Sequence, residues 1–329
     1  MTTRVVCYGL GPIGMGIARL ACTRSGIQIV GAIDVDPQKA GRDLGELLGR
    51  SAIGVTVSID AARTLSRVHP DVVLHATQSS LAAVAPQLRE CITAGANVIS
   101  TCEELAYPWS AQPQLAADLD AAARAAGVTL LGTGVNPGYA MDALPLMLTA
   151  ACAEVRAMRV LRIVDAAQRR GPLQRKIGAG LTPDEFAQRV REGAVRHVGL
   201  AESLHMIAAT LGWQLDAGDD TIMPILAGCA VVTEHVSVEA GQVAGVHQIA
   251  RGYIGEREVI TLDLRMYVGA PDPQDTVEID GNPPLRMTIA GGIHGDIATA
   301  AIAVNTIASI RKAEPGLLSM TDVPLVHYW

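Results

Sequence analysis

Two adjacent carboxylates, Glu103 and Glu104, stand in the segment ISTCEELAYPW, just after a run that reads as the end of a buried strand. A carboxylate beside a reacting centre can carry protons, and its charge can hold a developing cation. A solvated loop also accommodates two such residues, so the block by itself leaves both readings open.

A second constellation points to phosphate binding. Arg4 to Tyr8 form a short β-type run, followed by glycines at 9, 11 and 14 and then a helical pattern. Gly9 permits a tight turn, Gly11 lets the backbone approach a pyrophosphate, and Gly14 lets the helix pack on the strand. Free N–H groups at the helix start face the phosphates. With Pro12 and Ile13 these residues make the candidate dinucleotide cradle. A second strand, Gln28 to Ile33, leads into Asp34, about 20 residues beyond the last glycine, where a carboxylate accepts from ribose hydroxyls. The expected cofactor is NAD or NADP: Asp34 repels a 2′-phosphate and favours NAD, whereas Lys39 and Arg42 offer a counter-charge.

The elements that must position these groups alternate. PDVVLHAT is a short buried strand that ends by placing Ala76 and Thr77 beside the cofactor. The helix after it carries Leu81, Val84, Leu88 and Ile92 on one face, and Pro86 inside it predicts a kink. ANVIS, QLAADLDAAARAAG and VTLLGTG continue as strand, helix and strand. The chain is therefore expected to be α/β, with an N-terminal Rossmann domain over residues 1–140 built on a doubly wound parallel sheet. In such sheets ligands lie beyond the carboxyl ends of the strands, where the loops HATQSS, TCEELAYPW and TGVNPGY emerge. His75 at that edge reads as a structural hydrogen-bonding residue. Asn136 can donate to and accept from cofactor or substrate, and Pro137 and Gly138 shape a tight turn beside it.

From about Met141 the pattern changes. A helix, MDALPLMLTAAC, precedes a strand, VRAMRVLRIV, and two helices over roughly 182–212. The long strands CAVVTEHVSVE, QVAGVHQIARGYIG, REVITLDLRMYVG, DTVEID and LRMTIA then imply a mainly antiparallel sheet. Residues 141–295 are expected to form an α+β domain for substrate binding and dimerisation. Residues 296–329 should form a C-terminal helix, capped by Asp296, and a tail returning to the Rossmann domain. His294, beside that cap, is a candidate substrate contact. His235 and His247 read as residues of the antiparallel sheet.

Composition narrows the partners. Of 329 residues 49% are hydrophobic and 18% charged, enough for a substantial core. The net charge of −7, without any Lys/Arg run, argues against nucleic acid. No apolar stretch has the length of a membrane span, and MTTRVVCYG enters a strand directly, so a cytoplasmic location is expected. The six cysteines form no CxxC pair, and no metal site is expected. Aromatic residues make up only 3%, with one Phe, which predicts aliphatic pocket walls.

Taken together, GLGPIGMGIARL, PDVVLHAT, NVISTCEELAYPW, GVTLLGTGVNPGYAMDALPL and GGIHGDIATAAIAVNTI resemble 2,4-diaminopentanoate dehydrogenase and the related NAD(P)-dependent amine dehydrogenases, relatives of dihydrodipicolinate reductase. The resemblance covers nearly the whole chain. It implies a Rossmann domain plus an α+β domain, a homodimer, and reversible oxidation of an amine carbon to a carbonyl with release of ammonia. It also puts the catalytic carboxylate in the double-glutamate block, with Glu103, nearer the strand end, as first choice and Glu104 as the alternative. Neighbours on an extended segment point to opposite sides, so one glutamate faces the substrate while the other makes a helix-cap or loop hydrogen bond.

The chain departs from those relatives in RIVDAAQRRGPLQRKIGAG, which has no aromatic residue where they contribute apolar or aromatic pocket walls. Substrate identity is therefore open. Arg169 and Arg175, with Arg170 and Lys176 nearby, are candidates to pair with a substrate carboxylate. The expected substrates are a small carbonyl or amine compound and ammonia. Two other readings stay open: an imine reductase like dihydrodipicolinate reductase, which needs no ammonia, and a dinucleotide-binding sensor without turnover.

Overall fold

The structure, a computed structural model, describes residues 2–329. The chain divides into two compact units, Met1–Tyr139 with His294–Trp329, and Ala140–Ile293.

In the first unit, strand β1 (Thr3–Tyr8) leads through the glycine turn into helix α1 (Pro12–Ala21) and strand β2 (Ile27–Ile33). Next come helix α2 (Leu44–Leu47), strand β3 (Val57–Ser58), helix α3 (Ala61–Val68), strand β4 (Val72–His75), helix α4 (Leu81–Thr93) and strand β5 (Asn97–Ser100). A 3-10 turn over Glu103–Leu105, helix α5 (Pro113–Ala126) and strand β6 (Thr129–Gly132) follow. The short strands are buried at almost every position, as expected for a sheet covered on both faces. Pro86 lies inside α4, which runs on to Thr93. Gly127 ends α5 in the left-handed conformation that glycine adopts without a Cβ clash.

The second unit contains helix α6 (Ala143–Leu148), strand β7 (Glu154–Asp165), helices α7 (Gly171–Lys176), α8 (Pro183–Arg191) and α9 (Leu200–Thr210), and strand β8 (Ala217–Leu226). A small hairpin of β9 (Val231–Val232) and β10 (Ser237–Val238) precedes strands β11 (Val243–Ile254), β12 (Arg257–Tyr267), β13 (Gln274–Asn282) and β14 (Leu285–Ala290). Helices α10 (Gly295–Asn305) and α11 (Ile307–Ile310) and strand β15 (Gly316–Leu318) belong to the first unit again.

The first unit's parallel sheet runs β15-β6-β5-β4-β1-β2-β3. The second unit's sheet, β14-β13-β7-β12-β11-β8, is antiparallel except where β7 pairs with β12. Its core includes Phe186, Leu200, Ile207, Leu262 and Leu264. Arg162 of β7 and Asp275 of β13 face each other in register, both 2% exposed, as an ion pair at 2.7 Å. Arg162 also donates to the Ile293 carbonyl, and the Ile293 N–H donates to Asp275, each at 2.7 Å. Burial dominates both groups: desolvation raises the Asp275 carboxyl and lowers the Arg162 guanidinium despite their mutual attraction.

Several elements differ from the sequence expectation. CAVVTEHVSVE is not one long strand: it contains the small hairpin, and His235 sits in its turn rather than in the main sheet. The long strand lies earlier, at β8, an edge strand whose Asp219, Asp220 and Pro224 hide its period; an edge tolerates proline because one side of its backbone needs no partner. The C-terminal helix is interrupted at Thr306, and its cap is the His294 side chain, which accepts from Ile297 N–H at 3.4 Å, rather than Asp296 in the first turn.

Candidate active site

The carboxyl ends of the parallel strands form a row in register. Ile33 pairs with Tyr8, Tyr8 with His75, His75 with Ser100 and Ser100 with Gly132. The loops that carry the candidate residues leave from these positions.

At the β1–α1 turn the three glycines have different surroundings. A Cβ on Gly9, whose φ is +90°, would lie 2.4 Å from the Ala76 carbonyl oxygen, and one on Gly14 would lie 1.9 Å from that of Gly9. No atom lies within 4 Å of the Cβ position on Gly11, so the space before α1 is open. Gly11 is the N-cap without a side-chain cap bond, and the N–H groups of Ile13 and Gly14 in the first turn have no intrahelical acceptor. An open cradle edged by helix N–H groups fits a pyrophosphate.

Asp34 stands just past β2. It is buried, and its carboxylate accepts from the N–H of Leu10 at 2.6 Å and of Asp36 at 2.8 Å. A carboxylate has further acceptor capacity for ribose hydroxyls. Lys39 contacts Asp34 at 3.5 Å and Asp36 at 3.1 Å, while Arg42 is exposed and its side chain makes no hydrogen bond or ion pair among the described residues. Ala76 and Thr77 follow β4 and pack directly on Gly9.

The two glutamates are held differently. They lie on a 3-10 turn rather than an extended segment, and a Cβ on Gly132 would meet the backbone of that turn at Leu105, 2.4 Å away. Glu104 accepts from Leu81 N–H at 2.7 Å and from the Gln112 amide at 2.8 Å, and its own N–H donates to Ser79. It thereby supplies the cap that Ser80, at the N-cap of α4, does not. The Glu103 carboxylate is half-buried and makes no hydrogen bond or ion pair among the described residues. Before it, Cys102 is buried, its thiol donates to the Ser79 carbonyl, and burial pushes that thiol up to about 12. It is a packing residue, not a nucleophile.

His75 is fully buried. Its Nδ1 lies 2.8 Å from Ser100 Oγ, and its Nε2 lies 2.7 Å from Gln87 Oε1 and 3.0 Å from Thr77 Oγ1. Desolvation lowers its pKa to about 4, so the ring is neutral at working pH. Strand-end position alone marks His75 in the sequence. Ser100 and Gly132 share that strand-end signal, whereas Gln87, inside α4, carries none and is brought in only by the fold.

Asn136, Pro137 and Gly138 are buried in the loop after β6, near α10: Val135 N–H donates to Thr299 Oγ1 at 3.2 Å. Gly138 has φ +116°, and a Cβ there would lie 2.6 Å from Gly134 N. His294 is exposed at the start of α10. Unit one thus gathers Gly9 to Gly14, Asp34, Ala76, Thr77, Glu103 and Glu104 along one sheet edge. Arg169, buried, and Arg175, exposed in the last turn of α7, belong to the second unit.

Residues 139–329 match the family model described as the 2,4-diaminopentanoate dehydrogenase C-terminal domain, and residues 3–102 match the dihydrodipicolinate reductase N-terminus. The chain is 33% identical to a 2,4-diaminopentanoate dehydrogenase of Acetoanaerobium sticklandii, over 98% of this chain and 93% of that one. It is 27% identical to an amine dehydrogenase of Streptomyces virginiae, over 97% and 96%. The structure of an amine dehydrogenase from Mycobacterium smegmatis superposes with a TM-score of 0.89 at 30% identity, covering 100% of this chain and 98% of the other.

Proposed function

We propose that in this chain, which belongs to the 2,4-diaminopentanoate dehydrogenase family and is an NAD(P)-dependent amine dehydrogenase, Glu103 is the carboxylate that serves the reaction. One observation carries this choice. Glu104 is taken up by Leu81 and Gln112, whereas Glu103 has no partner among the described residues.

The overall reaction converts an amine, NAD(P)+ and water to a carbonyl, ammonia, NAD(P)H and a proton. When bound, the dinucleotide would supply the hydride acceptor for the amine carbon, or the hydride donor in reductive amination. Gly9, Gly11, Pro12, Ile13 and Gly14 would hold its pyrophosphate, Asp34 its ribose, and Ala76, Thr77 and Asn136 the remainder. Glu103 stabilises the iminium cation by its charge. It takes a proton from the water that adds to the iminium carbon and gives one to the departing nitrogen. Glu104 keeps the N-terminus of α4 and the 3-10 turn together.

NAD is the proposed preference, since Asp34 presents a fixed negative charge and Lys39 is already shared between two carboxylates. In the first unit Asn136, Pro137, Gly138 and His294 are the proposed substrate contacts; in the second unit Arg169 and Arg175 are proposed to pair with a carboxylate on the amine. The enzyme is proposed to work in the cytoplasm as a homodimer, the latter supported by exposed Met223 and Leu226 on the edge strand β8 of the second unit. A sedimentation run that gave a monomer would remove the dimer.

The test is consumption of NADH and NADPH with short ketones, keto acids and aldehydes, with and without ammonium, beside oxidation of 2,4-diaminopentanoate. Ammonium-dependent turnover that disappears in Glu103→Gln supports the assignment. Turnover independent of ammonium, or an active Glu103→Gln, refutes it.

A further inference from the structure

His75 lies where two loops meet. On its Nδ1 side, Ser100 Oγ accepts the N–H of Cys102 at 3.1 Å, and Cys102 is the residue before Glu103. Gln87 Oε1, 2.7 Å from Nε2, can only accept, so the ring proton sits on Nε2 and Nδ1 of the neutral ring accepts the Ser100 O–H. On the Nε2 side that proton faces Gln87 Oε1 and Thr77 Oγ1, and Thr77 O–H donates to the same Gln87 oxygen at 2.8 Å. Thr77 belongs to the loop packed on Gly9, and Gln87 lies on α4, the helix that Glu104 caps.

We propose that His75 is a positioning residue with two separable duties: through Ser100 it sets the backbone that presents Glu103, and through Thr77 and Gln87 it sets the cofactor loop. The proposal rests on Glu103 being the working carboxylate. The ring holds its proton at Nε2 and passes none on, in keeping with complete burial and three hydrogen-bonding neighbours. The same imidazole bonds both loops, so its two nitrogens can be tested one at a time. Asn at this position places a polar atom where Nδ1 stood and none at Nε2, while Gln places one at the Nε2 position and none at Nδ1.

The experiment measures NADH affinity by protein-to-NADH fluorescence transfer, and kcat with the fastest amine from the panel, for His75→Asn, His75→Gln, Ser100→Ala and Glu103→Gln. His75→Gln and Ser100→Ala are expected to lose about tenfold in kcat at unchanged NADH affinity. Their pH–rate profiles should keep the wild-type shape at a lower plateau. His75→Asn is expected to keep kcat and to weaken NADH by severalfold. Identical kinetic effects of the Asn and Gln variants, or a wild-type kcat in Ser100→Ala, overturn the proposal, as does loss of one limb of the pH profile, which marks proton transfer instead. Where the His75 variants do not fold, Ser100→Ala decides by the same criteria. A fully active Glu103→Gln removes the reading beneath the proposal, whereas an inactive one with indistinguishable His75 variants removes the proposal alone.

Discussion

The carboxylate of Glu104 accepts a 2.7 Å hydrogen bond from the backbone N–H of Leu81, the first residue of α4, while Glu103 beside it is left without a partner. Two residues of one type at adjacent positions have thus been separated by a single helix terminus.

The separation is measurable. Glu103→Gln is expected to lower kcat by about 10²–10⁴ with little change in NADH affinity or thermal midpoint. Glu104→Ala, which uncaps α4 and strands the Gln112 amide, should cost about 1–3 kcal/mol of stability. Paired thermal melts and steady-state kinetics distinguish the two losses.

His75 predicts an acid sensitivity. Its folded value of about 4 lies below the ordinary 6.5. Above pH 6.5 both folded and unfolded chains are neutral there and the full stability is present. Below it the unfolded chain gains a proton that the buried ring refuses, so stability falls until about pH 4. This single group accounts for about 3 kcal/mol over that window. Urea unfolding at pH 7, 5.5 and 4 should show a shallower decline in His75→Gln than in the wild type.

Gly11 and Gly14 should fail differently when changed to alanine. Gly11→Ala meets open space and should melt normally, yet its methyl group intrudes on the phosphate cradle and should weaken NADH about tenfold or more. Gly14→Ala would place a methyl 1.9 Å from the Gly9 carbonyl oxygen and should destabilise the fold itself. Melting curves with and without NADH test both.

Asp34→Asn keeps the shape and removes the charge. The ratio of kcat/KM for NADPH to that for NADH should rise about tenfold, because a 2′-phosphate no longer faces a carboxylate. An unchanged ratio would place cofactor selection elsewhere.

In the second unit, Asp275→Asn leaves Arg162 buried without its counter-charge and should cost about 3–5 kcal/mol, readable as a shift in urea midpoint. Replacing both residues by apolar ones of similar volume should recover most of that loss.

Much of this architecture was legible in the sequence. The glycine spacing, the strand before it and Asp34 after it all act over short distances, and they specify the β1–α1–β2 unit whatever the rest of the chain does. The helices expected over roughly 182–212 are present as well, and the structure starts α8 with a reciprocal capping box of Thr182 and Glu185. Where local signals conflict, tertiary pairing decides. β8 carries two aspartates and a proline, and it is a strand because β11 pairs along it, not because of its own propensity. Asp296 has the composition of a cap, yet the helix begins earlier and the cap falls to His294, two residues before it.

The sequence by itself determined the fold class, the family and the block that holds the two carboxylates, because periodicity, turn chemistry and motif spacing are properties of neighbouring residues. Only the tertiary structure decided what each carboxylate is bonded to. Glu104 is occupied by a backbone N–H 23 residues away, and His75 is bound to a serine 25 residues on and a glutamine 12 residues on. Those partners become neighbours only when parallel strands align their carboxyl ends, and hydrogen bonds of 2.7–2.8 Å cannot be read from types and spacing before that alignment exists.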